Sequence, residues 1–297
     1  MEPVIIHTLC PACGAETIYK SLSAKDYMIS QLEFEIWECG QCFLRFTQAV
    51  PGEQAIGKYY KSEAYVSHTD TQKGLVNRLY HMVRKRTLKK KYQLVNSMPR
   101  TGMELLDVGA GTGAFAAYMH EQGWNVNGVE TDADARKKAA DLYGLSLFSA
   151  EGFFKLPAES FNVITLWHVL EHVHRLHEYL GQLNKLLTQN GTLIIAVPNY
   201  TSYDAGHYKQ YWAAYDVPRH LYHFSPGAME SLLNKHGLKL TGTQPMWFDS
   251  FYVSLLSEKY KTGKSNLLKG FWNGMISNRK AMKDKERCSS LIYIINK

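Results

Sequence analysis

The chain has 297 residues, 45% of them hydrophobic and 21% charged, enough to bury a full α/β core with a small satellite module. No apolar run approaches the roughly 18 residues of a membrane-spanning helix. The start, Met1-Glu-Pro-Val-Ile-Ile-His7, lacks the basic and apolar regions of a signal peptide, so a cytoplasmic protein without a membrane partner is expected.

The first element is a cysteine module. Cys10-Pro-Ala-Cys13 and Cys39-Gly-Gln-Cys42 are two Cys-x-x-Cys turns separated by 25 residues. Each turn presents two thiolates, and the pair completes a tetrahedral four-sulfur zinc site with no open position. Disulfides are disfavoured in a reducing compartment, and a redox pair needs only one such turn. Between the turns, Leu32 to Glu38 alternates like a half-buried strand, so residues 1–50 read as a zinc ribbon with structural Zn2+. Cys288 is left over and is expected to be buried and inert.

Residues 51–103 read as a helical connector packed on the main domain. Tyr59, Tyr60, Tyr65 and His68 are read as packing residues there, with closure over a ligand as the alternative. The net charge of +7 is concentrated: Lys73 to Arg100 holds nine Lys or Arg and no acid, and the last forty residues are also basic. Such a surface could attract nucleic acid, anionic lipid or phosphorylated substrates. Apolar Val76, Leu79, Tyr80, Val83, Leu88, Tyr92 and Val95 interleave at helical spacing, which favours an amphipathic helix with a solvated basic face.

Residues 104–297 then hold a cofactor domain. Glu104-Leu-Leu-Asp-Val108 is a buried parallel strand that runs into Gly109-Ala-Gly-Thr-Gly113 and a helix from Ala114 to Gln122. The glycines let the backbone approach a ligand, and the free N–H groups of the helix start face it. Asn125 to Val129 is a second strand, closed by Glu130, 17 residues past Gly113. A carboxylate there grips ribose hydroxyls in doubly wound nucleotide folds.

Leu105 to Gly113 resembles the first motif of class I S-adenosylmethionine-dependent methyltransferases. Phe161 to Val173 is similar to the fourth-strand motif of that superfamily, and Leu187 to Asn199 to its following helix, turn and fifth strand. The resemblance implies an α/β fold with a doubly wound, Rossmann-like seven-stranded sheet whose last strand is antiparallel. It implies that Asp107, Gly109, Ala110, Gly111 and Gly113 hold the amino acid end of S-adenosylmethionine, and that Glu130 and Thr131 hold its ribose. Ser149, Ala150 and Glu151 would frame the adenine, with Leu166, Trp167 and His168 beside the methionine part. Leu145 to Phe148 would be strand three, Val163 to Leu166 strand four, Leu238 to Pro245 strand six and Leu291 to Ile295 strand seven, with a helical insertion at about 250–283.

His168-Val-Leu-Glu-His172 also spells an inverted zinc-protease pattern, but His168 follows a buried strand instead of lying within a helix. Some methyltransferases carry Glu-x-x-Glu-His here as a divalent-ion site, and this chain has His168 in place of the first Glu. Tyr200 to Phe224 is too aromatic for a solvated loop and is expected to wall the acceptor pocket. Asp216-Val-Pro-Arg-His-Leu-Tyr-His-Phe-Ser-Pro226 resembles a bacterial methyltransferase signature. His220 and His223 are the general-base candidates, with Asp216 and His168 as further catalytic candidates. Ser225 and Pro226 should open a helix.

The reaction expected from the resemblance is in-line methyl transfer to a small-molecule acceptor. A front ribbon joined to this fold resembles sugar C-methyltransferases, which suggests a sugar or polysaccharide precursor. The alternative is an RNA-modifying or RNA-binding protein using the ribbon and basic helix, although exposed aromatic groups for base stacking are not interleaved with the cations.

Overall fold

A computed structural model describes residues 4–60 and 75–297, with side chains in the second stretch described from residue 84. Two compact units divide the chain: residues 1–65, 168–179 and 196–294 make one, and residues 66–167, 180–195 and 295–297 the other. Tyr65 and His68 lie outside the described residues.

The first unit opens with β1 (Val4–Ile5), β2 (Ile18–Lys25), β3 (Glu33–Cys39), β4 (Arg45–Thr47) and β5 (Val50–Pro51). β2, β3 and β4 are an antiparallel meander, and β1 pairs with β5. The alternation over Leu32 to Glu38 emerges as β3, which buries Ile36 and Cys39.

The chain continues through α1 (Leu75–Asn96), β6 (Glu104–Val108), α2 (Ala114–Glu121), β7 (Asn125–Val129), α3 (Ala133–Tyr143), α4 (Ala150–Phe153), β8 (Phe161–Trp167), α5 (Leu176–Leu186) and β9 (Leu187–Pro198). β6 lies parallel to both β7 and β8, with Leu105, Leu106, Val108, Val163, Ile164 and Leu166 buried. Each contributes about 1.5–3 kcal/mol of hydrophobic burial.

The remainder comprises α6 (Tyr203–Tyr208), β10 (Tyr222–His223), α7 (Pro226–Asn234), β11 (Lys239–Pro245), α8 (Asp249–Thr262), α9 (Leu267–Ala281) and β12 (Ser290–Asn296). The Rossmann-like sheet has six strands in the order β11-β12-β9-β8-β6-β7, and its last strand in chain order is antiparallel. The expected third strand is reduced to a single bridge between Val129 and Phe148. Gly144 ends α3 in left-handed backbone and Ser149 caps α4, which leaves only Leu145 to Phe148 between two helix caps.

β10 pairs with β4, so Tyr222 and His223 add a strand to the cysteine module's sheet. The aromatic segment is interior. Tyr208, Trp212, Tyr215 and Val217 pack with Ala24, Ile36 and Val253 in one apolar cluster. The segment expected as an insertion holds the helix pair α8 and α9.

Candidate active site

The second unit carries the glycine turn. Gly109, Gly111 and Gly113 all have positive φ, and a Cβ built on Gly111 would meet no atom within 4 Å, so the turn faces open space. Gly113 starts α2, and a Cβ there would come within 3.0 Å of Ala139. The Gly111 N–H donates to Glu130 Oε2 at 2.7 Å, and the Asp132 N–H donates to Glu130 Oε1 at 2.9 Å. Two backbone amides thereby aim the Glu130 carboxylate beside the turn. Thr131 Oγ1 lies 3.3 Å from Glu130 Oε1.

Asp107 is buried and accepts a hydrogen bond from Thr165 Oγ1 at 2.7 Å. Burial raises its pKa to about 6, against the opposing pull of Thr165 and the Lys91 charge. Trp167 stands edge-on to Phe115, its indole N–H is buried without a partner among the described residues, and Lys91 Nζ lies 4.2 Å from its ring centroid. Leu166 is fully buried in β8. Ser149 caps α4 by accepting the Gly152 N–H, and its hydroxyl donates to Glu151 Oε2 at 2.6 Å. Open space over left-handed glycines, the Trp167 indole donor and the buried Asp107 carboxyl fit the ammonium, ribose and base of S-adenosylmethionine. Thr165, Phe115 and Lys91 escaped the sequence reading. Only the parallel register shows that Thr165 faces Asp107.

The first unit gathers the histidines. His168 has φ +59, a left-handed conformation that costs a non-glycine residue about 1–3 kcal/mol. Its Nε2 lies 3.0 Å from Asp249 Oδ2 and its Nδ1 3.3 Å from Glu171 Oε1. Burial alone would lower its pKa, but the hydrogen bonds and charges of Asp249 and Glu171 raise it to about 10. The two carboxylates thus favour its protonated form.

Glu171 is fully buried, and its Oε1 faces His168 Nδ1 at 3.3 Å. One ligand atom each from Glu171, His172 and His220 lie within 4.8 Å of one another. His220 Nδ1 is 2.9 Å from the Ala214 carbonyl, and His172 Nδ1 is 3.0 Å from the Arg219 carbonyl and 2.9 Å from the Tyr60 hydroxyl. Burial, then the neighbouring His220, lowers His172 to about 4, which keeps it neutral.

His223 is placed apart. Its ring is buried, 3.2 Å from Thr47 Oγ1 and edge-on to Tyr215, and burial holds its pKa well below the ordinary imidazole value. Asp216, in left-handed backbone at φ +36, accepts both Nε and Nη2 of Arg219. Arg219 also donates to Asp26 at 3.0 Å and to the Tyr59 carbonyl at 3.0 Å. The sequence supplies no local signal for the Asp26 and Asp249 contacts, which join distant parts of the chain.

Cys10, Cys13, Cys39 and Cys42 bring their sulfurs within 4.8 Å of one another, Cys10 beside Cys42 and Cys13 beside Cys39 at 3.5 Å each. Four convergent thiols fit a tetrahedral metal. Cys288 is buried, and burial pushes its thiol to about 12.

A Rossmann-like sheet, a glycine turn after its first strand and an acid closing its second are the marks of a doubly wound nucleotide-binding fold. A family model described as a methyltransferase domain matches residues 80–242, more than half of the chain, and the chain belongs to that family. The ubiquinone biosynthesis O-methyltransferase of Glaesserella parasuis is 31% identical over 112 residues, 34% of this chain and 48% of the relative. The mitochondrial ubiquinone biosynthesis O-methyltransferase of Homo sapiens is 28% identical over 170 residues, 52% of this chain and 46% of the relative. The chain thus spans about half the length of the curated relatives it matches. A SAM-dependent methyltransferase from Archaeoglobus fulgidus superposes with a TM-score of 0.48 at 18% identity, covering 72% of this chain and 94% of that one.

Proposed function

We propose that the chain is an S-adenosylmethionine-dependent methyltransferase acting on a hydroxyl of a small acceptor. The carrying observation is the open glycine turn flanked by the buried Asp107 carboxyl and the amide-held Glu130 carboxylate. Bound S-adenosylmethionine supplies an electrophilic sulfonium methyl, so the protein has to position the acceptor, exclude water and accept a proton. Asp107 holds the ammonium of the amino acid end, and Glu130 with Thr131 takes the ribose hydroxyls. Gly109, Ala110, Gly111 and Gly113 shape the turn, Ser149, Ala150 and Glu151 frame the adenine, and Leu166 and Trp167 form the wall.

His220 is the base. Its Nδ1–H is committed to the Ala214 carbonyl, which leaves Nε2 as the proton acceptor, in company with neutral His172. A hydroxyl acceptor accords with the relatives named O-methyltransferases, and a phenol or a sugar precursor presents the same group. The four cysteines bind structural zinc.

The convergence of the buried Glu171 carboxylate with two imidazoles favours a second reading of the same cluster. A divalent cation held by Glu171, His172 and His220 lowers the acceptor hydroxyl's pKa in place of a free base.

The test is calorimetric binding of S-adenosylmethionine and S-adenosylhomocysteine to zinc-replete protein, followed by turnover with phenols and nucleotide sugars. Glu130→Ala should lose cofactor binding, whereas His220→Asn should keep binding and lose turnover. Normal binding by Glu130→Ala would sink the cofactor site. Activity that persists after chelation at the His220 cluster would leave the free base, and activity restored by a divalent ion would select the cation.

A further inference from the structure

Helix α9 is built inside out. It buries Gly270, Asn273, Gly274, Ser277 and Ala281 against α8, which buries Ser250, Ser254 and Ser257 together with Val253 and Glu258. A Cβ built on Gly270 would lie 2.8 Å from the Leu255 Cα, and one on Gly274 2.8 Å from the Phe251 Cα, so the two backbones are in contact. Small residues four apart seat helices in this way when their large apolar side chains face another medium. Here the outward side chains are Leu267, Leu268, Phe271, Trp272 and Met275, of which Leu268 is 85% and Trp272 59% exposed. Phe251 stacks on Phe271 at 5.1 Å and extends the same face. A helix amphipathic toward its own core would have turned the Leu and Trp side chains inward.

The surrounding charge has one sign. From Lys259 to Lys283 the chain carries Lys259, Lys261, Lys264, Lys269, Arg279, Lys280 and Lys283 and no acid. Arg279, Lys280 and Lys283 line a cleft with Ile276 at the C-terminal end of α9. Lys269 reaches back to Glu258 at 3.5 Å.

We propose that this hairpin docks on the surface of an anionic lipid bilayer. Leu267, Leu268, Phe271, Trp272 and Met275 enter the boundary between headgroups and acyl chains, and the flanking cations meet lipid phosphates. Charge selects this occupant over a second copy of the chain. A twofold contact would set one copy's cations against the other's, between chains of net charge +7, whereas an acidic bilayer complements them. No described helix is long and apolar enough to cross a membrane, and a surface-lying helix does not need to be. The expectation of no membrane partner was drawn from the lack of a spanning run and of a signal-peptide pattern, and adsorption depends on neither.

The experiment is flotation of the full chain with vesicles of phosphatidylcholine alone and of phosphatidylcholine mixed with phosphatidylglycerol, at low and high salt. The chain should float with the mixed vesicles and bind neutral ones, or mixed ones in high salt, about tenfold or more weakly. The double variant Leu268→Ser with Trp272→Ser should stay at the bottom of the gradient. Arg279→Glu with Lys283→Glu should weaken binding by about tenfold or more. All four side chains are exposed, so circular dichroism and the melting temperature should match the parent. No flotation with mixed vesicles overturns the proposal, as does undiminished flotation of the Leu268→Ser and Trp272→Ser variant. A stable dimer by light scattering that Trp272→Ser dissociates also overturns it, because the face would then be a contact between copies.

Discussion

Asp107 shows how one residue joins fold and chemistry. The parallel register sets it opposite Thr165, and burial raises its pKa from the ordinary carboxylate range to about 6. In the unfolded chain it ionises near 4. Ionisation therefore costs the folded protein nothing below that pH, and the cost grows until it is complete above about pH 6. Asp107→Asn should accordingly stabilise the ligand-free protein at about pH 8, by roughly 3 kcal/mol, and leave stability near pH 4 unchanged. It should weaken cofactor binding at the same time, so thermal melts with and without S-adenosylhomocysteine at both pH values check both halves. Arg219 makes the opposite case. Its guanidinium is buried between Asp216 and Asp26, and removing it strands those carboxylates. Arg219→Ala should cost about 3–5 kcal/mol in urea denaturation, and Arg219→Lys should recover little, because an ammonium cannot reproduce the forked contacts.

Among the elements, the cysteine module and the histidine segment are one piece of structure. β4 lies between β3 and β10, Thr47 Oγ1 donates to the His220 carbonyl at 2.7 Å, and Arg45 Nη1 donates to the Tyr215 hydroxyl at 3.0 Å. A module of this size has too small a core to persist without its cross-link. Cys13→Ser, or a strong zinc chelator, should release about one equivalent of metal and lower the melting temperature by several degrees. Hydrogen exchange should then rise in residues 219–224 as well as within the ribbon. Exchange confined to the ribbon would show that β10 holds its place unaided.

At the scale of the whole molecule, the two units should answer to different ligands. Asp107, the glycine turn, Glu130 and Ser149 belong to one unit, and the four cysteines with the His220 cluster belong to the other. Saturating S-adenosylhomocysteine should slow hydrogen exchange over residues 107–113, 128–132 and 149–152 and leave the ribbon unchanged. Chelation should speed exchange within the ribbon and leave those residues unchanged. Protection spread evenly over both units would show that they open as one cooperative body.

The sequence by itself determined what depends on neighbours in the chain. The strand and glycine turn at Glu104 to Gly113, the acid at Glu130, the Cys-x-x-Cys spacing, the Ser225 cap and the helical segment near 250–283 were all legible. Each follows from backbone geometry or side-chain alternation over a few residues. The tertiary structure decided what depends on residues far apart: Thr165 beside Asp107, Asp249 on His168, Asp26 on Arg219, and His220 gathered with Glu171 and His172 while His223 is buried against Thr47. It also reduced Leu145 to Phe148 to a single bridge and turned the small face of α9 inward. Local periodicity shows which residues share a face. What that face meets is fixed by register and packing, through contacts between residues that no short window of sequence contains.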